Sequence, residues 1–325
     1  MTQQPSTTQK VKRIPIDLGG PTPICLEPHR RPYPTGEWVS AMIDSYLSRD
    51  DFDAQNVSIS FVQGGVPNQE LIDALSNRPF TLATRPDELS RKDAEWLVEQ
   101  GCQGIELNVY TTQQFVLDRN GIAYNLDIIE EMVTFFQEKG LEVGIHLVYG
   151  LPHADLEGCI NDVRIFCNLN VDYLRLAPVL VLSGSELEVM YRAGRYFPVS
   201  TEESIQYLHS AFQISEESNI PIVRMGWQSK NDFGVSAVAG PESNNLRAEV
   251  LERAFRYRII GVVAGFGGKN IVLSFHPKDE GYVRGKGNCN IKFVSQKLRC
   301  PSIDLKRDTT LNRCEIRCHA FHEEA

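Results

Sequence analysis

The sequence lacks the features of a membrane or secreted protein. No apolar run among its 325 residues approaches the roughly 20 residues that span a bilayer. The segment from Met1 to Arg13 is rich in Gln, Thr and Lys and has no hydrophobic core of a signal peptide. The eight cysteines are scattered instead of forming a disulfide framework. We therefore expect a cytoplasmic protein with reduced thiols and no membrane partner.

Charge is unevenly distributed along the chain. The composition, 42% hydrophobic and 23% charged, is that of a globular protein, and a net charge of −9 argues against one dominated by nucleic-acid binding. Residues 256–325 hold 13 Lys and Arg against 7 Asp and Glu, whereas the rest of the chain holds 20 against 35. This predicts a flexible leader (1–12), an acidic body (13–255) and a small basic α+β domain (256–325). The basic domain either contacts phosphates or docks on the acidic body.

The basic end contains a cluster of soft ligands. Cys314, Cys318, His319 and His322 lie within nine residues, and such side chains can hold zinc. Their spacing fits no common zinc module, however, so we assign no metal site there.

Strands and helices alternate about six times between residues 14 and 226. This pattern predicts a parallel sheet wrapped by helices, either open or closed into a barrel. In both folds the ligand site lies at the carboxyl ends of the strands. The residues predicted there are Gly20, Gly64, Gly65, Arg85, Tyr110, Gly150 and Pro178, with Glu106, His146 and Arg175 inside the strands. Farther along, the basic segment Gly281 to Asn288 predicts a glycine-rich loop that opens a helix at Ile291.

Several motifs occur in a recognisable order. They include Thr84-Arg-Pro-Asp, Gly101-Cys-Gln-Gly-Ile-Glu-Leu, the run from Lys139 to Pro152, the run from Tyr173 to Leu187, and the tail from His276 to Ile291. Together they resemble the radical S-adenosylmethionine (SAM) superfamily, close to its elongator-catalytic-subunit-like branch, over roughly residues 12 to 317. The resemblance implies an α/β fold: a partial (β/α)6 TIM-like barrel with SAM across the strand ends, and a small C-terminal α+β domain.

One family motif is missing. Family members carry C-x3-C-x2-C after the first strand, and its thiolates hold a [4Fe–4S] cluster. Matching Gly19-Gly-Pro to the family places Gly20, Ile24 and Glu27 at the three cysteine positions, so Cys25 has no partner at a usable spacing. The departure predicts a protein without an iron–sulfur cluster and without radical cleavage of SAM.

This sequence retains more of the family's residues on the cofactor side of the predicted cavity than on its substrate side. Gly64, Gly65, Arg85, Glu106, His146 and Arg175 match positions that line the family's SAM cavity. On the substrate side, Tyr110-Thr111 replaces Gln-Ser, and Arg119-Asn-Gly-Ile replaces a segment containing Arg-Gly-His. In place of the cluster, Arg30 or Arg31 could pair with the SAM carboxylate, although arginines in such a loop also occur as plain surface charges.

These observations predict a SAM-dependent transferase or lyase that uses polar chemistry on a small molecule. The SAM sulfonium makes its carbons electrophilic, so positioning and a base suffice. Glu106, His146, Tyr110 and Tyr149 are the candidate bases or orienting groups. His146 could equally be a hydrogen-bonded core histidine, whereas a carboxylate inside an apolar strand, as at Glu106, is costly without a role.

Two other interpretations remain open at this point. The chain could be a non-catalytic relative that binds RNA or a partner enzyme, or it could build a cluster from Cys25 and other ligands. The composition favours a small-molecule substrate over nucleic acid, and it leaves room for a homo-oligomer.

Overall fold

A computed structural model describes residues 12–17, 33–49, 57–62, 65–227, 236–241 and 245–321. Its strands are β1 (Lys12–Asp17), β2 (Val57–Val62), β3 (Phe80–Thr84), β4 (Cys102–Val109), β5 (Glu142–Tyr149), β6 (Tyr173–Pro178), β7 (Val181–Leu182), β8 (Ile222–Met225), β9 (Ala237–Ala239), β10 (Asn270–Phe275), β11 (Ile303–Arg307) and β12 (Ile316–Phe321). Its α-helices are α1 (Gly36–Leu47), α2 (Gln69–Ala74), α3 (Arg91–Glu99), α4 (Gln114–Arg119), α5 (Leu126–Glu138), α6 (Leu156–Asn168), α7 (Glu186–Arg192), α8 (Thr201–Glu217), α9 (Leu246–Val263), α10 (Glu280–Arg284) and α11 (Cys289–Leu298). No described helix is both long and apolar enough to cross a membrane.

The first compact unit is built on a parallel sheet. It contains residues 1–200 and 211–244, and its seven strands follow the order β1-β2-β3-β4-β5-β6-β8. Because each neighbouring pair is parallel, helical crossovers connect successive strands. The sheet curls into a half-barrel, which confirms the predicted partial TIM-like architecture.

The two faces of this sheet differ in polarity. On β4 the side chains of Ile105, Leu107 and Val109 are almost fully buried and form one apolar face. Strand alternation puts Glu106 and Asn108 on the other face. We call the face that bears Leu107 the outer face, which helices cover in a barrel, and the face that bears Glu106 the inner face. The inner face is therefore the one that presents polar groups to a ligand.

Local signals in the sequence explain where the helices begin. Asn68 caps α2 by accepting a hydrogen bond from the backbone N–H of Leu71, as its sequence position predicts. Ser90 and Asp93 form a reciprocal capping box at the start of α3. These caps fix the chain entry into helices that follow β2 and β3.

The second unit contains residues 201–210 and 245–325. Its sheet has the order β11-β10-β12, and residues of α9 and α11 such as Phe255 and Val294 are completely buried in its core. The structure places the boundary at Asn245 instead of 256, because α9 is one continuous helix across the predicted boundary. The predicted loop from Gly281 is also corrected: α10 covers its first residues, and the turn comes at Gly285, where φ is +66°.

We expect that Asp279→Ala destabilises the protein by about 3 kcal/mol, because the substitution removes a buried carboxylate that accepts two short hydrogen bonds. Asp279 is fully buried; Arg313 Nε donates to its Oδ1 at 2.6 Å and the Cys314 N–H to its Oδ2 at 2.7 Å. Chemical denaturation of the full chain measures the effect, with Asp304→Ala on the exposed edge strand as the control. Equal stability of the two variants would contradict this account of the second unit.

Candidate functional site on the inner face of the half-barrel

The inner face carries a row of polar side chains on β4, β5 and β6. In the sheet register, Glu106 pairs with Gly144, and His146 pairs with both Asn108 and Arg175. These positions share one face because side chains alternate along each strand. The structure thus brings together three predicted site residues, Glu106, His146 and Arg175.

An ion pair crosses β5 at this point. Arg175 Nη2 lies 3.1 Å from Glu106 Oε2, although the two residues belong to strands on either side of β5. Beside it, a Cβ added at Gly144 would lie 2.1 Å from Cζ of Tyr173, so the Tyr173 ring occupies the space over this glycine. Glycine at 144 therefore makes room for the ring on the inner face.

The ion pair leaves hydrogen-bonding capacity unused. The Glu106 side chain is 7% exposed and that of Arg175 is 31% exposed. Despite the short ion-pair distance, Glu106 Oε2 has no partner with hydrogen-bond geometry among the described residues, and neither has Arg175 Nε. Buried polar atoms normally have partners, so these two atoms indicate where a ligand would bind.

His146 is a neutral hydrogen-bond acceptor in this site. Its Nδ1 lies 3.2 Å from Asn108 Oδ1, and an amide oxygen only accepts, so Nδ1 carries the proton. The buried Nε2 then presents a lone pair, with no partner among the described residues. Burial, together with the charges of Arg175 and Arg224, lowers the His146 pKa to about 3. His146 is consequently a poor proton acceptor, which favours the predicted orienting role, as an acceptor for a ligand donor, over that of a base.

This pKa shift predicts a pH-dependent stability. The histidine is neutral when folded, whereas the unfolded chain takes up a proton below the ordinary pKa of 6.5. Stabilisation by the neutral ring is therefore complete above that value and is lost as the pH falls toward 3. Between neutral pH and pH ~4 we expect a loss of about 3 kcal/mol that His146→Gln does not show. Denaturation at a series of pH values measures it, and parallel curves for the two proteins would contradict it.

Arg85 and Tyr110 lie in a separate cavity at the carboxyl ends of the strands. We call this the mouth cavity; its volume is about 400 Å³. Arg85 Nε donates to Asp87 Oδ1 at 2.8 Å, and its guanidinium lies over the Tyr110 ring at 5.8 Å. Burial raises the Tyr110 pKa, so its hydroxyl stays protonated and serves as a donor instead of a base. The cavity is lined by Arg85, Tyr110, Arg119, Asn120, Gly121, Ile122, Pro152, His153, Glu186, Leu187 and Met190.

The loop that carries Tyr110 is fixed to α6. Asp162 accepts hydrogen bonds from Thr111 Oγ1 at 2.8 Å and from the N–H and hydroxyl of Thr112 at 3.0 and 2.6 Å. Burial raises the Asp162 pKa against the opposing effect of these hydrogen bonds. One turn earlier, Gly158 packs closely on Gln113, since an added Cβ would meet that side chain at 2.3 Å. These contacts fix the loop after β4, which begins at Tyr110 in the cavity lining.

The other predicted site residues are not gathered around Glu106. Tyr149 shares the outer face of β5 with Ile145 and Leu147, so it does not lie on the same face as His146, and its role as a base or orienting group stays a prediction. A Cβ added at Gly65 meets no described atom within 4 Å, which leaves the backbone open to approach there. Gly20, Gly64, Arg30 and Arg31 lie outside the described residues.

Sequence reasoning missed several residues of the site. Asn108 follows Glu106 by two residues, a spacing that puts both on one strand face and could have identified it. Trp227, whose ring lies 5.7 Å from the His146 ring, and Arg224 come from β8 and its end, and no local pattern connects them to β5.

The described residues do not supply a site for the family's iron–sulfur cluster. Such a cluster needs several thiolates close together. In the described part of the first unit, Cys102, Cys159 and Cys167 are each buried as free thiols. Among all described residues, no three His, Cys, Asp or Glu side chains are grouped to hold a metal ion. Ile24, Cys25 and Glu27 lie outside the described residues, and no step below is routed through a cluster.

The soft ligands near the C-terminus are separated by the fold. Cys318 and His319 are successive residues of β12, so they lie on opposite faces of the sheet. Burial raises the Cys318 pKa, since that side chain packs against the core of the second unit. His322 lies outside the described residues. The described part of this cluster therefore does not converge on one point.

Comparison with known proteins connects this site to a family. The radical SAM C-terminal domain matches residues 171–256. The tRNA uridine(34) acetyltransferase of Methanocaldococcus jannaschii is 27% identical over 139 residues, covering 41% of this chain and 25% of the relative. Human Elongator complex protein 3 is 24% identical over 178 residues, covering 54% of this chain and 32% of the relative. The chain thus spans a third or less of the length of these curated relatives.

A solved structure has the same fold. Elp3 of Methanocaldococcus infernus, with residues 1–46 deleted, superposes with a TM-score of 0.53 at 20% identity, covering 69% of this chain and 58% of the other. The matched domain is one of the radical SAM superfamily, and the curated relatives reported above are proteins of its elongator-like branch. The resemblance that the motifs predicted is therefore confirmed, and the solved structure shows that the fold is shared.

The same comparisons correct the predicted chemistry. The sequence analysis expected polar SAM chemistry without a cluster, of a transferase or lyase type. The relatives are tRNA acetyltransferases and Elongator proteins of a radical enzyme family, and the matches reported above support neither polar SAM chemistry nor a lyase. The curated relatives include an acetyltransferase, which agrees with the expectation of an enzyme but not with a particular reaction type.

Proposed function

We propose that the inner face of the half-barrel binds SAM, and that the chain is an enzyme subunit of the elongator-like branch. The observation that carries the proposal is the pair of the buried Glu106 with the partly exposed Arg175, together with its buried, unused hydrogen-bonding atoms. A ligand that completes these bonds offsets the cost of keeping them unpaired away from water.

SAM has the complementary chemistry. Its methionyl part carries an ammonium and a carboxylate, which suit the carboxylate of Glu106 and the guanidinium of Arg175. Its ribose hydroxyls and adenine amino group are donors, and His146 Nε2 is an acceptor. A site with one anion, one cation and one neutral acceptor fits SAM better than it fits a plain anion.

Calorimetric titration of SAM into the purified protein tests the proposal. We expect saturable binding in the micromolar range, accompanied by a rise in thermal stability. Gly65→Ala shows how far the bound ligand extends, because its Cβ meets open space in the described structure and should leave folding intact. SAM that reaches from Glu106 to residue 65 should bind this variant more weakly than the wild type. Absence of heat at millimolar SAM, with folded protein confirmed in the same sample, would refute the proposal. Iron analysis of that sample shows which protein form was titrated.

A further inference from the structure

The mouth cavity holds two opposite charges that do not neutralise each other. Arg119 and Glu186 both line it, and no ion pair joins either of them to another described residue. Arg85, by contrast, is already bound to Asp87. Both side chains are exposed to solvent, so the cavity presents one accessible cation and one accessible anion to whatever enters it.

Aromatic contacts orient the cationic side of the cavity. The Arg119 guanidinium lies over the ring of Phe115 at 5.3 Å, and the His153 ring meets the same ring edge-on at 6.4 Å. Phe115 is 60% exposed, so its contact with the Arg119 guanidinium lies at the protein surface and not in a core. A guanidinium held by a ring keeps its N–H groups free for an acceptor.

Four apolar residues also line the cavity, and we call them its apolar wall. Ile122, Leu187 and Pro152 are buried residues of this wall, and Met190 is a flexible one. A cavity of about 400 Å³ lies within the range of small-molecule pockets and is too small for a folded partner. Its occupant thus needs an oxyanion, a cationic donor and an apolar portion.

We propose that the mouth cavity binds an α-amino acid with an apolar side chain, as a second ligand next to bound SAM. Arg119 receives its carboxylate, Glu186 receives its ammonium, and the side chain packs on Ile122, Leu187 and Met190. One part of this inference rests on the proposed function, namely that SAM is bound on the inner face beside the amino acid. The cavity, its charges and its apolar wall belong to the first unit regardless of SAM.

Saturation-transfer NMR with each common L-amino acid, followed by calorimetry of those that bind, tests this assignment with and without SAM. We expect saturable binding that weakens at least about tenfold in Arg119→Gln and in Glu186→Gln. Arg192→Gln, which removes a nearby exposed charge already paired with Glu188, should leave the Kd unchanged. SAM affinity should also be unchanged in all three variants.

Three outcomes would overturn the assignment. In the first, no amino acid binds at millimolar concentration; binding of AMP or inorganic phosphate that is lost in Arg119→Gln would then show that the cavity is an anion site. In the second, amino-acid binding is unchanged in Glu186→Gln, which means that the cavity recognises only the carboxylate. SAM binding disappears with Arg119→Gln, which means that the cavity is part of the SAM site. Failure of the proposed function gives a different result, because then neither the wild type nor the Arg119 variant binds SAM.

Discussion

Glu106→Gln weakens SAM binding by at least about 100-fold in this account. The substitution keeps the size of the side chain but removes the charge that faces the SAM ammonium. It also leaves Arg175 in the site without its partner, since the two side chains are 3.1 Å apart in the wild type. Both effects disfavour the complex.

Calorimetry of the Glu106 variant needs a control for general charge effects. Glu138→Gln removes a carboxylate from the exposed end of α5 and should bind SAM as the wild type does. If Glu106→Gln bound SAM with wild-type affinity in a folded protein, the ion pair would be structural only, and the inner face would lose its assignment as the cofactor site.

Gly144→Ala should have the largest effect on stability, at least about 3 kcal/mol. The added methyl carbon would occupy a position 2.1 Å from Tyr173 Cζ, so the ring must move in a closely packed sheet. Tyr173 precedes Arg175 by two residues on β6, so a displaced ring should also disturb Arg175, and SAM binding should decline together with stability.

A double-mutant cycle separates this close approach from other causes. Tyr173→Ala removes the ring, so Gly144→Ala should cost much less in that background than in the wild type. Chemical denaturation of the four proteins gives the coupling energy. Strictly additive effects would show that the ring contact does not limit residue 144.

The sequence predicts the half-barrel well because its signals are local. Apolar strands, the caps at Asn68 and Ser90, and the alternation of strands and helices each depend on neighbouring residues. The prediction failed where the outcome depends on register or distant contacts. The face on which Tyr149 lies follows from strand parity, and the joining of Arg119 and Glu186 in one cavity follows from the path of several loops.

The chemistry was the least predictable part. Glu106 was recognisable as a carboxylate within an apolar strand, but its ion pair with Arg175 depends on the register of β4, β5 and β6. The neutral state of His146 depends on burial and on Arg224 of β8, which is remote in sequence. Reaction type was inferred from an absent motif, and the relatives of the chain contradict that inference.

A crystal structure of the protein with SAM tests the central claim most directly. The account predicts SAM on the inner face, with polar atoms of the ligand within hydrogen-bonding distance of Glu106 Oε2, Arg175 Nε and His146 Nε2. The mouth cavity would remain open beside it for the second ligand. SAM bound elsewhere, or bound with those three atoms still unpaired, would contradict the account.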